Sequence, residues 1–311
     1  MENQIERCKG ESEDEKIKLC SIQKGTCTKK FQSHLYSVDC LAIIDKNTFI
    51  SGSCDRTIKL WNIERGISTK TFKGHTNSVW CLASIDSNTF ASGSTDKTIK
   101  LWNIDKGICT KTFQGHKNSV LCLTTIDKNN FISGCGDNTI KLWNIENDHF
   151  TKTFQGHTNS VWRLAIIDNN TFISGSWDKT IKLWNIDKGI CTKTFQDHTN
   201  YVECLAIIDK NTFISGSRDN TIKLWNIEKG ICTKTFQGHT NYVECLAIID
   251  NNTIISGSWD KTIKLWNIEK GICTKVFEGH EANVLCLAII DINNFLSGSD
   301  DETIRLWHIS Q

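Results

Sequence analysis

The sequence predicts an all-β fold: seven four-stranded antiparallel blades packed radially into a closed ring. Three observations carry that reading. A unit of 41 residues recurs, as from His34 to His75, along nearly all of the 311-residue chain. Within a unit, apolar residues alternate with the two-residue period of a strand rather than the 3.6-residue period of a helix. The two ends of the array each hold what the other lacks, so the chain can close on itself.

The repeat comes first because it decides everything after it. His34, His75, His116, His157, His198, His239 and His280 keep one register, and Trp61, Trp102, Trp143, Trp184, Trp225, Trp266 and Trp307 keep another. Complete His-to-Trp segments therefore run over 34–61, 75–102, 116–143, 157–184, 198–225, 239–266 and 280–307. Residues 198–238 and 239–279 differ at only six of 41 positions, so these two copies must share one structure.

Inside a unit, four short runs are rich in strand formers: VWCLAS (79–84), TFASGS (89–94), TIKLWNI (98–104) and ICTKTF (108–113). IDSN, DKGI-type turns and a tight STD corner before Thr98 separate them. The chain has no proline, so Asn, Asp and Gly supply its turns. A four-stranded sheet of ~40 residues cannot bury both faces alone, whereas radial packing about an axis buries both and leaves only short edges.

Closure sets the blade count. The chain ends just after a third strand, Trp307–Ile309, while TCTKKF (26–31) is a fourth-strand sequence with no complete blade before it. Letting 26–31 complete the last blade gives seven. Residues 12–22 align with a second-to-third-strand segment, with Asp14 at the aspartate position and Cys20 at the tryptophan position. An eight-bladed ring with one incomplete blade is the alternative. Residues 1–15 read as a short polar segment and 16–311 as the ring.

The recurring GH…SGSxDxTIKLWN pattern resembles the WD40 repeat family, whose members are β-propellers. The resemblance covers roughly residues 16–311, and in flavour it is nearest to the propeller domains of F-box/WD-repeat substrate adaptors. Departures are small: Asn follows the third-strand Trp in six units and His308 in the seventh, and Ser33 and Asp197 replace the glycine before the histidine. The resemblance implies a structural tetrad in each blade: His75, Ser92, Asp96 and Trp102, with His157, Ser174, Asp178 and Trp184, and His239, Ser256, Asp260 and Trp266 as equivalents. It also implies a protein-interaction scaffold.

Composition excludes several classes. A net charge of +1 leaves no electrostatic footprint for nucleic acid or anionic lipid. No apolar run approaches the ~20 residues of a membrane span, and the opening MENQIERCKGESEDEKIKLC has no signal-peptide core. With no secretion signal, the fifteen cysteines read as free thiols in a reducing compartment, and a cytoplasmic, also nuclear, location is expected. In that setting the glycosylation patterns at Asn169–Thr171 and Asn251–Thr253 carry little weight.

Histidine, serine and aspartate in every unit invite a hydrolase reading, and seven histidines a metal reading. Repetition argues against both. A sevenfold identical set stays within separate blades, whereas catalysis gathers different roles around one reacting atom. No HExxH or Cys/His zinc spacing is present, so no enzyme, catalytic residue, metal or cofactor is expected. Buried groups that satisfy one another are the expectation. Cys40, Cys81, Cys122, Cys204, Cys245 and Cys286 occupy one first-strand position and read as small apolar residues, with Arg163 the odd member.

Functional signal lies where the copies disagree. The four tryptophans outside the tetrads, Trp80, Trp162, Trp177 and Trp259, fall at just two repeat positions: after the first-strand valine and before the corner aspartate. The same slots hold Glu203, Arg218 and Glu244, and Tyr201 and Tyr242 stand two residues before the glutamates. In the family these places line the top rim of the channel, and aromatics there anchor partners. With Arg218 the lone rim arginine among Asp39, Glu203, Glu244 and Asp300, the rim suits a basic or apolar peptide rather than a phosphorylated one. The expected molecule is a monomeric propeller working within a complex. The other functional readings are the substrate-recognition subunit of a ubiquitin ligase or kinase complex, although no F-box is seen, and, from another class, an enzyme using the rim pocket. The outer-strand lysines Lys111, Lys193 and Lys234 read as exposed and remote from the rim.

Overall fold

Strand formers, corner aspartates and left-handed turn residues assemble each 41-residue unit into one sheet. The computed structural model describes residues 23–147 and 149–309. The second blade shows the pattern: strands at Val79–Ser84, Thr89–Ser94, Ile99–Asn103 and Ile108–Phe113, each antiparallel to the next. Seven such sheets form the ring, and the described residues contain no helix. The last blade takes Val284–Asp291, Asn294–Ser299 and Thr303–His308 from the C-terminus and Thr26–Gln32 from the N-terminus. Thr26 pairs with His308 and Phe31 with Ile304. The eight-bladed alternative is therefore corrected to seven: Phe31, Phe49 and Trp61 pack directly on Cys286, Leu296 and Ile304, and no blade stands between the last and the first. The segment 12–22 that prompted it lies outside the described residues. One feature goes beyond expectation: Gln23–Lys24 adds in parallel to the outer strand Ile272–Phe277 of the sixth blade, before the chain crosses to the seventh.

The core is divided among the seams. Each blade lays its Ile/Leu face on the Phe–Trp face of the next, as Ile50, Ile58 and Phe72 lie on Phe90 and Trp102, and seven such clusters run round the ring. The alternation read from sequence is the record of these two faces. Tryptophan fills the seam in every copy, stacked on the second-strand Phe in most of them (Phe49–Trp61, 5.8 Å).

One device holds neighbouring blades together at the outer edge. Lys29, Lys70, Lys111, Lys152, Lys193 and Lys234 each donate from Nζ to two turn carbonyls of the next blade, at 2.6–2.9 Å. The receiving turn often carries a glycine, such as Gly230 at φ 71°, where a Cβ would come within 3.2 Å of the incoming Lys193 stem. Glycine there serves both the left-handed backbone and the passage of the lysine. Lys111, Lys193 and Lys234 are thus not the exposed, idle residues expected; they are inter-blade clasps.

First strands line the central channel. Their N-terminal ends and the corners between second and third strands form the top mouth, and the first-to-second hairpins form the bottom one. At each corner a non-glycine residue (Arg56, Lys97, Asn138, Lys179, Asn220, Lys261 or Glu302) takes φ of 65–71°. That strained conformation holds because the preceding aspartate fixes the turn: Asp178 Oδ1 accepts the Thr180 N–H at 2.9 Å and its hydroxyl at 2.6 Å.

Candidate functional site

The polar sets repeat without converging. In every blade the Trp indole donates to the second-strand Ser Oγ at 2.7–2.8 Å. That serine bonds His Nε2 at 2.6–2.7 Å. His Nδ1 meets the corner Asp Oδ2 at 2.7–2.8 Å, except in the third blade, where His116 and Asp137 stand 3.4 Å apart. The aspartate is an acceptor, so Nδ1 carries the proton and Nε2 accepts the serine hydroxyl. The tetrad serines are Ser92, Ser174 and Ser256; the serine two residues on, such as Ser94, instead accepts the Asp96 N–H. Burial would raise Asp178, but the His157 hydrogen bond and charge and the Thr180 hydroxyl outweigh it and hold the carboxyl well below its ordinary range. These groups have one another as partners within each blade, so the buried polar atoms of the framework are satisfied.

Among the described residues one set of possible metal ligands converges: His116, Cys135 and Asp137, with ligand atoms within 4.8 Å. It is the third-blade corner with Cys135 in place of the second serine. Its thiol is pushed up to about 12 by burial, accepts the Asp137 N–H at 3.3 Å and donates to the Asn118 carbonyl at 3.3 Å. A thiol so held has little thiolate to offer a metal.

The slots that vary between copies meet at the top mouth. Trp80, Trp162, Trp177, Arg218, Glu244 and Trp259 line one basin of about 590 Å3, together with Asp39, Cys54, Leu121, Leu285 and Asp300. The aromatic rings form a strip around half the mouth. Trp80 meets Trp162 edge-on at 5.7 Å, reaching past the third blade, whose own slots hold only Leu121 and Gly136. Trp162 stacks on Trp177 at 4.7 Å, and Trp177 on Tyr201 at 5.1 Å. Across Arg218, Tyr242 and Trp259 lie 5.0 Å apart.

Charge is arranged differently from expectation. Arg218 projects its guanidinium over four rings, Trp177, Tyr201, Tyr242 and Trp259, at 4.9–5.6 Å, and pairs with Glu203. The protein's own cation therefore occupies the place between these rings that a basic ligand would seek. Glu203, Glu244 and Asp39 are 0%, 6% and 7% exposed, so they are buried beneath the rim rather than displayed on it. Burial, reinforced by the Glu203 charge, raises Glu244 to about 8 against the pull of Arg163, Arg218 and the Trp259 N–H, which donates at 3.1 Å. Burial raises Asp39 to about 7 despite hydrogen bonds from Cys54 and Ser37. The mild acidity read from composition is muted in consequence. The sequence sets Arg218 among the rim acids, but that Glu203, fifteen positions before it in the same unit, is buried by pairing with it is a matter of packing.

Two residues that line this basin each carry a buried polar atom with no partner: Trp162 Nε1 and Asp39 Oδ2. Sequence offered no sign of either, because an unmet hydrogen bond is a property of packing. Just outside the basin, Leu35 and Tyr36 of the first blade stand 73% and 61% exposed between the tetrad histidine His34 and Ser37.

Comparisons with known proteins agree on the architecture. A family model described as WD domain, G-beta repeat matches seven segments, at residues 25–62, 66–103, 107–144, 149–185, 189–226, 230–267 and 271–308. Among solved structures the chain is similar to the crystal structure of the WD40 beta propeller domain of Doa1, with 26% identity, a TM-score of 0.82, and coverage of 92% of this chain and 98% of that one. A search of curated proteins gives no match.

Proposed function

The chain belongs to the WD40 repeat family, and from that premise we propose that its propeller is a scaffold whose top rim holds a peptide segment of a partner protein. Propellers of this family generally act as protein-interaction scaffolds and are typically non-catalytic. The observation that carries the finer reading is the basin itself. Four tryptophans outside the tetrads converge on it, and two of its lining residues, Trp162 and Asp39, each hold a buried polar atom without a partner. Apolar side chains of a partner segment cover the rings. Because Arg218 already fills the space between four of the rings, the segment is apolar rather than strongly basic. Among the described residues that line the basin, Arg218 alone offers a guanidinium fork to a phosphate, and it is engaged by Glu203.

The test compares affinity capture by the intact chain with capture by a Trp80, Trp162, Trp177 and Trp259 quadruple alanine variant and by Trp259→Ala alone. Lys128→Ala and Lys210→Ala, in exposed bottom hairpins, serve as controls. Trp259→Ala should lower affinity for the captured partner by roughly 2 kcal/mol or more. Every variant is first shown to be folded. Retained capture by the folded rim variants, with loss in the bottom-hairpin controls, would place the site elsewhere.

A further inference from the structure

Arg163 breaks the most regular feature of the channel. At the equivalent position the other six blades carry cysteine, and each thiol donates across the seam to a valine carbonyl of the next blade, from Cys40 to Val79 at 3.7 Å round to Cys286 to Val38 at 3.4 Å. Each also fills the space beside a second-strand glycine, where a Cβ would lie 2.5–2.6 Å from the sulfur at Gly52, Gly134 and Gly298. In the fourth blade that place, beside Gly175, has no thiol, and the arginine lines the channel instead.

Its guanidinium is poorly served there. Of five donors, one reaches an acceptor within hydrogen-bond range, the Trp162 carbonyl at a long 3.5 Å, and among the described residues no carboxylate lies within 4.0 Å. Burial opposes the charge, but the acidic groups around it, Glu244 first, outweigh that, so its pKa lies above the ordinary arginine value. These acidic groups act from beyond contact distance, so none of them occupies the guanidinium donors. Glu203 is engaged by Arg218. Glu244 accepts from the Trp259 N–H at 3.1 Å, and burial with the Glu203 charge raises its carboxyl to about 8. Burial keeps the flanking Cys122 and Cys204 thiols protonated. Asp39, raised to about 7 by burial, belongs to the first blade. The channel segment has about 170 Å3 of free space, against roughly 30 Å3 for one liquid water, and shares Asp39 and Trp80 with the rim basin above it.

We propose that the channel is a binding site for a small carboxylate-like anion, held by the Arg163 guanidinium. A planar fork of donors beside open space fits two carboxylate oxygens, and an anion there meets donors that the protein itself leaves without a close partner. The same chemistry has two sources: a free small anion, or the terminal carboxylate of a peptide entering from the basin. The site does not rest on the rim reading, since its loss leaves every rim tryptophan in place.

The experiment is thermal unfolding of the full chain at pH 7, with a bulky sulfonate salt holding ionic strength constant. Acetate, N-acetyl-leucine and N-acetyl-leucinamide are titrated into the wild type and into Arg163→Cys. The variant restores the residue of the other six blades, together with its thiol bond and its packing on Gly175, and so folds. Wild-type Tm should rise saturably by about 2–5 °C with a carboxylate and not with the amide, and Arg163→Cys should show no saturable rise. Saturation at lower concentration by N-acetyl-leucine than by acetate assigns the peptide carboxylate, and equal saturation assigns the free anion. Identical titrations for wild type and variant, an amide as effective as the acids, or a wild type without a saturable response would each overturn the site.

Discussion

Asp178 and Glu244, two buried carboxyls, respond to folding in opposite directions. Asp178 accepts from His157 at 2.7 Å, from the Thr158 and Thr180 amides at 3.0 and 2.9 Å, and from the Thr180 hydroxyl at 2.6 Å. Asp178→Ala leaves those donors unmet, and chemical denaturation should show a loss of roughly 1–3 kcal/mol. An unchanged midpoint would take the tetrad out of the framework. Because its folded pKa is depressed, Asp178 stabilises above the unfolded value of ~3.9, and that stability is lost as pH falls below it. Glu244 and Asp39 have raised folded values, about 8 and about 7, both through burial. Each holds a proton that the unfolded chain has already released, so stability falls as pH climbs from ~4 to the folded value. Burial depresses His116, His239 and His280, which works the other way, but only below the unfolded histidine value of ~6.5. Between about pH 6.5 and 8 the carboxyls therefore decide, and unfolding free energy should drop by roughly 2 kcal/mol. Glu244→Gln should flatten most of that slope; a wild-type profile already flat in this window would contradict the buried, protonated Glu244.

At the scale of strands and turns, the lysine clasps show where sequence reading stops. Period, strand order, tetrads and the two rim slots were all legible, because each is written in side chains that recur or vary at fixed spacing. Lys193 was not. Its partners are the Ile227 and Glu228 carbonyls, 34 and 35 residues on, and a backbone acceptor leaves no mark in the sequence. A lysine repeated once per blade therefore looked like a solvated face. The rim failed in a related way: the variable slots were visible, but the descent of Glu203 beneath Arg218 depends on rings supplied by three blades. Lys193→Met keeps the stem that packs against Gly230 and removes the charged donor. It should cost roughly 1–2 kcal/mol in denaturation, while Lys210→Ala in an exposed hairpin changes the midpoint by less than ~0.5 kcal/mol. Equal effects would mean that the clasp contributes nothing to the seam.

For the whole ring, stability depends on a closure that is not covalent. Six blades connect their third and fourth strands through a turn of the chain, but in the seventh the partners are Thr303–His308 and Thr26–Gln32, from opposite ends. That strand does two jobs. It pairs the edge of Thr303–His308, which would otherwise stand open, and it delivers Phe31, 1% exposed, against Phe49 at 5.4 Å and Trp61 at 5.8 Å in the first blade. Removing it exposes one seam and leaves an unpaired strand, so both ends of the array are released together. A chain beginning at Gln23 keeps the closing strand and its parallel pairing to Lys275 and Val276, and should unfold in one transition near the wild-type midpoint. A chain beginning at Ser33 lacks the strand and should lose far more than any single substitution, with a lower and broader transition or aggregation on heating. Phe31→Ala lies between them: it keeps the strand's hydrogen bonds but empties the seam, at roughly 3–5 kcal/mol. Chemical denaturation of the three chains orders them. If the chain beginning at Ser33 proved as stable as the one beginning at Gln23, the N-terminal strand would not be what closes the propeller.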